Sequence, residues 1–127
     1  MLPTTLTLVA VDPSTILHKV SALPITSWQY VDEPPSLRHI GPMAQDFHHA
    51  FAVGGDPTAI GTVDADGVAL AAIQGLHRLV VDKDAKIEAL TARVAQLEVL
   101  HEQLRALQTR LQALDSRAVP STLHAAP

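Results

Sequence analysis

The sequence contains no cysteine, which excludes a disulfide framework, a thiolate nucleophile and cysteine-ligated metal. Aromatic residues are scarce: one tryptophan, one tyrosine and two phenylalanines, 3% of the chain. A small domain built from them has few large anchors, and Trp28 is the expected one. Positive charge is not in excess. Nine lysines and arginines against 13 acidic residues leave a net charge of −4, so there is no basic footprint for nucleic acid. The opening MLPTTLTLVAVD has no basic region ahead of its apolar residues and makes a poor signal peptide. The most apolar stretch, Val68 to Val81, is interrupted by Gln74, His77 and Arg78 and is too short to span a bilayer. Finally, no proline occurs between Gly67 and Arg117, and no glycine after Gly75. Nothing in that run breaks a helix.

What the run does contain is a stripe. Leu76, Val80, Ile87, Leu90, Val94, Leu97, Leu100, Leu104, Leu107, Leu111 and Leu114 recur at spacings of mostly three and four, the period of one helix face. At 1.5 Å per residue the helix would be on the order of 75 Å long, too long for this chain to bury against itself. The stripe therefore requires a partner, and a second copy of the chain is the simplest one. From Gly67 to Val81 the helix is apolar nearly all round, which predicts cover on more than one side. After Asp82 the stripe narrows to a seam: Ile87, Leu90, Val94 and Leu97 fit alternating a and d positions. Leu100 then follows Leu97 by three residues rather than four, and a new leucine seam runs to Leu114. This phase slip is a stammer, which overwinds a coiled coil locally.

Ahead of the helix the pattern is short and mixed. Leu6 to Val11 (LTLVAV) reads as a strand. Asp12 and Pro13 read as the cap and first residue of a short helix with Ile16, Leu17, Val20 and Leu23 on its apolar side, ended by Pro24. Ile25 to Tyr30 (ITSWQY) alternates like a strand, and the turn from Asp32 to Ser36 is exposed. Leu37 to Ile40 is a further strand leading into Gly41 and Pro42. A second helix follows, Met43 to Phe51, burying Met43, Phe47, Ala50 and Phe51. Ala59 to Val63 is a short strand or extended lead-in, and Asp64 or Asp66 caps the long helix. The expected fold is α+β: a small head over residues 1–66, a long oligomerisation helix over 67–117 that forms a parallel coiled coil from about Asp82, and a disordered tail over 118–127.

Three stretches in this order, LPITSWQY, RHIGPMAQDF and DADGVALAAIQGL, resemble the C-terminal intramolecular chaperone domain of phage tailspikes, endosialidases and related fibre proteins. The resemblance spans roughly Val11 to Leu90. It implies a homotrimer that holds fibre chains in register during assembly in the bacterial host, and a place on a virion or cell-surface fibre. It also implies structural roles for Trp28, Arg38, His39, Gly41, Pro42, Gln45, Asp46, Asp66 and Gly67. The partners are then further copies of the chain and an upstream fibre or tailspike segment, with no cofactor, nucleic acid or membrane. Many members of the family cleave themselves with a serine nucleophile and a lysine base five residues later. The matching region here contains Thr4 and Thr5 and neither serine nor lysine, so the chain departs from the family at that motif. The alternatives are a self-cleaving serine–lysine endopeptidase and a homodimeric coiled-coil adaptor. Isoleucine and valine at a with leucine at d favour two strands. The head and the all-round apolar start of the helix favour the family's three.

Several polar residues have plainer roles. Ser14 and Lys19 are also five apart, but on a helix they diverge by about 140°. His48 and His49, beside Asp46, lack metal-site spacing and suit solvated or interface positions. Asp64-Ala65-Asp66-Gly67 lacks the remaining ligands of a calcium loop. A buried Arg38 requires a carboxylate, with Asp46 and Asp66 as candidates. His101 lies off the seam.

Overall fold

A computed structural model describes residues 5–118. The tail expected at 118–127 lies, beyond Ala118, outside the described residues, as does Thr4. Five elements occur in the order α1 (Pro13–Ala22), β1 (Thr26–Trp28), β2 (His39–Gly41), α2 (Ala44–Phe51) and α3 (Thr62–Ala118). The chain falls into two compact units, one ending at Asp82 and one beginning at Lys83.

In the first unit, α1 starts where its residues dictate. Asp12 is extended, its carboxylate accepts from the Ser14 amide at 3.2 Å and the Thr15 hydroxyl at 2.7 Å, and Pro13 fills the first turn. Leu23 caps the other end just ahead of Pro24. Ile16, Leu17, Val20 and Leu23 are half-buried, as an amphipathic helix requires. The two strands form one antiparallel pair, with Thr26 opposite Gly41, Ser27 opposite Ile40 and Trp28 opposite His39. Gly41 closes β2 at φ 156°, a conformation that side chains with a Cβ resist, and Pro42 follows. Helix α2 begins after Met43, ends on Ala52 in the left-handed region, and packs Phe47 against Phe51 at 4.9 Å between ring centroids. Of the four residues expected inside it, Phe47 is buried, Ala50 and Phe51 are half-buried, and Met43 is exposed ahead of the first turn.

The expected strand at Leu6–Val11 does not form. Residues 5–12 pair with no strand, and Leu6, Leu8, Val9 and Val11 are exposed. Strand propensity is fit to a pleated, half-buried surface, and no neighbouring strand supplies that surface here. Ala59 to Val63 is not a strand either: turn and coil run to Gly61, and Thr62 opens α3. The long helix thus starts five residues before Gly67, so Asp64 and Asp66 do not cap it. Asp64 lies in its first turn, where a carboxylate still faces the free amides favourably.

Within the single chain, the start of α3 is covered on one side. Ala72 and Gly75 are buried, whereas Leu70, Ile73 and Leu76 on the neighbouring faces are exposed. Gly75 permits the close approach. A Cβ there would collide with the Pro13 carbonyl and stand 3.1 Å from Leu17 Cβ. Phe47 and Ala72 are the buried apolar side chains among the described residues, and no large side chain is fully enclosed. One chain alone therefore removes little apolar surface from water.

The second unit is the remainder of α3. Its seam is exposed among the described residues: Leu97 is 61% exposed and Leu104 is 54% exposed.

Candidate functional site

The strand pair organises a polar and aromatic cluster. Trp28 and His39 are register partners, so their side chains emerge from one face of the ladder. Their rings stack at 4.7 Å between centroids with planes 28° apart. Tyr30 closes on both edge-on, at 5.0 Å from Trp28 and 5.6 Å from His39. Glu33, in the turn between the strands, reaches back to this cluster. Its Oε2 lies 2.9 Å from His39 Nε2, and the same oxygen accepts from the Tyr30 amide at 3.1 Å. The carboxylate thus ties the turn to β2, and it carries the one ion pair among the described residues when His39 is protonated.

Arg38 sits on the flank of the same ladder. Its Nε donates to Ser27 Oγ at 2.9 Å, its Nη2 to the Ser27 carbonyl at 3.0 Å and its Nη1 to Gln29 Oε1 at 3.3 Å. The expectation of a buried Arg38 held by Asp46 or Asp66 is corrected here. Arg38 is exposed, so its charge stays solvated and neutral acceptors on or beside β1 suffice. It braces one strand on the other rather than sheet on helix.

Trp28 is half-buried, and its Nε1 is enclosed without a hydrogen-bond partner among the described residues. It anchors the aromatic cluster, not a deep core. Trp28, Tyr30, Pro42, Met43, Gln45 and Ile60 line a cleft of about 530 Å³. Asp46 is exposed on α2, and Asp66 and Gly67 are exposed on α3. The structure therefore brings Trp28, Arg38, His39 and Gly41 onto one strand pair, sets Pro42 and Gln45 beside the cleft, and leaves Asp46, Asp66 and Gly67 apart from that cluster.

Glu33, Ser27 and Gln29 are the partners that sequence reasoning missed. Glu33 lies in a proline-bounded turn that reads as plain solvent-exposed chain. Its spacing of six residues from His39 acquires meaning only once the hairpin closes. Ser14 and Lys19 are both exposed on α1, and the Ser14 amide is engaged by Asp12. His48 is half-buried with an enclosed, unpartnered Nδ1, while His49 and His101 are exposed. Among the described residues, no three histidine, aspartate or glutamate side chains gather as a metal site would require. No described helix is long and apolar enough to cross a membrane.

Two carboxylates are held below their ordinary value of 3.8. Asp12 is lowered chiefly by the Thr15 hydroxyl and then by the Ser14 amide. Asp56 is lowered by the Thr58 hydroxyl at 2.6 Å and the Thr58 amide at 2.8 Å. Both are local turn and cap arrangements, since hydrogen bonds to the charged form favour it.

No curated protein and no solved structure matches the chain. A family model does, over residues 7–55, which covers α1, both strands and α2. Two of the three motifs that carry the resemblance lie within that span, and DADGVALAAIQGL lies beyond it. Over residues 7–55 this chain is similar to the family described as the chaperone of endosialidase.

Proposed function

We propose that the chain is a trimerisation and intramolecular chaperone module that assists folding and assembly of a phage or bacterial tail-fibre or tailspike protein. The observation that carries this reading is the unpartnered seam of α3. Its leucines keep more than half of their surface in water in the single chain. An apolar stripe of that length is stable only when covered. Other copies of the same helix offer a matching stripe, and the small buried core of the first unit gives each copy further reason to associate.

The mechanism follows from tethering. Three α3 helices twisted together hold three attached fibre segments at high effective concentration, so their strands meet as if within one chain. Register set at the coiled coil is passed to the fibre. The work belongs to the cytoplasm of the bacterial host during assembly, with the upstream fibre segment as the served partner. No serine or lysine stands between Met1 and Asp12, so no self-cleavage within those residues enters this mechanism.

The test is solution mass by light scattering after size exclusion. The expected result is a mass of three chains, with Leu97→Asp/Leu104→Asp dissociating it because carboxylates would be buried in the seam. A mass of two chains favours the homodimeric adaptor, for which isoleucine and valine at a with leucine at d already argue. An unchanged mass in the double variant removes the seam from the interface.

A further inference from the structure

The seam is flanked by charges that find no partner among the described residues. With Ile87 and Val94 at a, and Leu90 and Leu97 at d, Arg93 falls at g and Glu98 at e of the next heptad. After the phase slip, Leu104 and Leu111 occupy a, and Leu107 and Leu114 occupy d. Arg110 then falls at g and Asp115 at the following e. All four are exposed, and none belongs to an ion pair among the described residues. Along one helix, residues five apart diverge by about 140°, so Arg93 cannot meet its own Glu98, nor Arg110 its own Asp115. Residues three and four away from Arg93 and from Arg110 are all uncharged. Neither arginine therefore has an intrahelical reason for its sign.

Between parallel helices in register, g of one copy faces e of the next heptad on its neighbour. We propose that, in the parallel coiled coil expected of α3, Arg93 faces Glu98 and Arg110 faces Asp115 of the neighbouring copy, one pair on each side of the phase slip. This deepens the self-association reading above and rests on it. The remaining facing positions agree. Lys86 meets Thr91 and Gln103 meets Gln108, so no like charges are opposed. An antiparallel alignment of the whole seam sets g against g and brings Arg93 toward Arg110 of the neighbour. The placement of the pairs also has a use. The slip at Leu97–Leu100 is where two coils are most easily misaligned, and a charge pair on either side penalises a shift of either half. A chaperone that transmits register needs this more than it needs raw affinity.

The experiment compares four versions of the full chain: the parent, Arg93→Glu/Arg110→Glu, Glu98→Arg/Asp115→Arg, and all four changes together. Association is measured by sedimentation at low and high salt. Each paired reversal is expected to weaken association by on the order of tenfold at low salt and less at high salt, and the fourfold exchange to restore it. The cycle cancels local effects of each substitution, including the attraction that Glu98→Arg would create toward Glu102 one turn on. Failure of the exchange to restore association, in chains that still self-associate, overturns the pairing and leaves self-association standing. A monomeric parent overturns both. Orientation is read separately, using the absence of native cysteine. Val94→Cys and Leu107→Cys, in separate chains, should each oxidise to a disulfide between identical positions. An antiparallel seam can bring at most one of them opposite itself, so crosslinking of only one overturns the proposal.

Discussion

The indole of Trp28 stacks on the imidazole of His39 across the strand pair, with ring centroids 4.7 Å apart. The two residues belong to separate motifs of the sequence, and the hairpin makes them direct neighbours. Glu33 holds the imidazole through its Nε2. His39→Ala should therefore cost about 1 kcal/mol from the lost stack, before any loss of the Glu33 tether is added. Trp28 is the only tryptophan, so its emission reports the site directly. The variant's folded-state spectrum should shift to the red as the ring meets water. An unshifted spectrum would mean that His39 does not shield the indole.

The two glycines of α3 should respond in opposite directions to alanine. At Gly75 an added Cβ strikes the backbone carbonyl of Pro13, which cannot swing away as a side-chain tip can. Gly75→Ala should destabilise by about 1 to 3 kcal/mol despite alanine's better helix propensity. At Gly67 nothing lies within 4 Å of an added Cβ. Gly67→Ala should stabilise by about 0.5 to 1 kcal/mol. Thermal unfolding of the two variants side by side checks both signs.

Ala52 ends α2 at φ 51° and ψ 41°, a left-handed conformation costly for a residue with a Cβ. Glycine is the usual solution at such a helix end. Ala52→Gly should raise stability by about 0.5 to 1 kcal/mol, and Ala52→Val should lower it, since β-branching deepens the clash. Chemical denaturation midpoints would show the order Gly, Ala, Val. Any other order would contradict the cap geometry.

Asp12 should make stability depend on acid. Its carboxyl is lowered in the folded state by the Thr15 hydroxyl first and the Ser14 amide second. A depressed folded value means that the contribution is fully present above the unfolded value near 3.8 and is lost as pH falls through the lower, folded one. The margin of the parent chain over Asp12→Ala should accordingly be constant near neutrality and shrink below pH 3.8. A margin that grew on acidification would reverse the sign of the assigned hydrogen bonds.

Local rules made much of this chain legible. Asp12 followed by Pro13 specifies a helix start because cap and first-turn chemistry involve only adjacent residues. Pro24 specifies its end for the same reason. The apolar period from Leu76 to Leu114 specifies a helix with one face too long to be satisfied internally. The alternation of ITSWQY and the short run from Leu37 to Ile40 indicated two strands. The motifs also carried a resemblance to a family whose model matches residues 7–55, a span that holds two of the three.

Tertiary structure decided what depends on neighbours distant in sequence. LTLVAV has the composition of a strand but no partner to complete its hydrogen bonds, so it stays unpaired. The long helix starts at Thr62 rather than Gly67, which places Asp64 inside its first turn rather than ahead of it. Arg38 bonds to Ser27 and Gln29 instead of a carboxylate, since an exposed guanidinium needs no counter-charge. Glu33 meets His39 only through the turn that joins them. Sequence alone determines which residues want burial, a cap or a partner. Which atom answers each demand is fixed by the closure of the hairpin and the crossing of α1 over Gly75, where geometry admits some partners and excludes the rest.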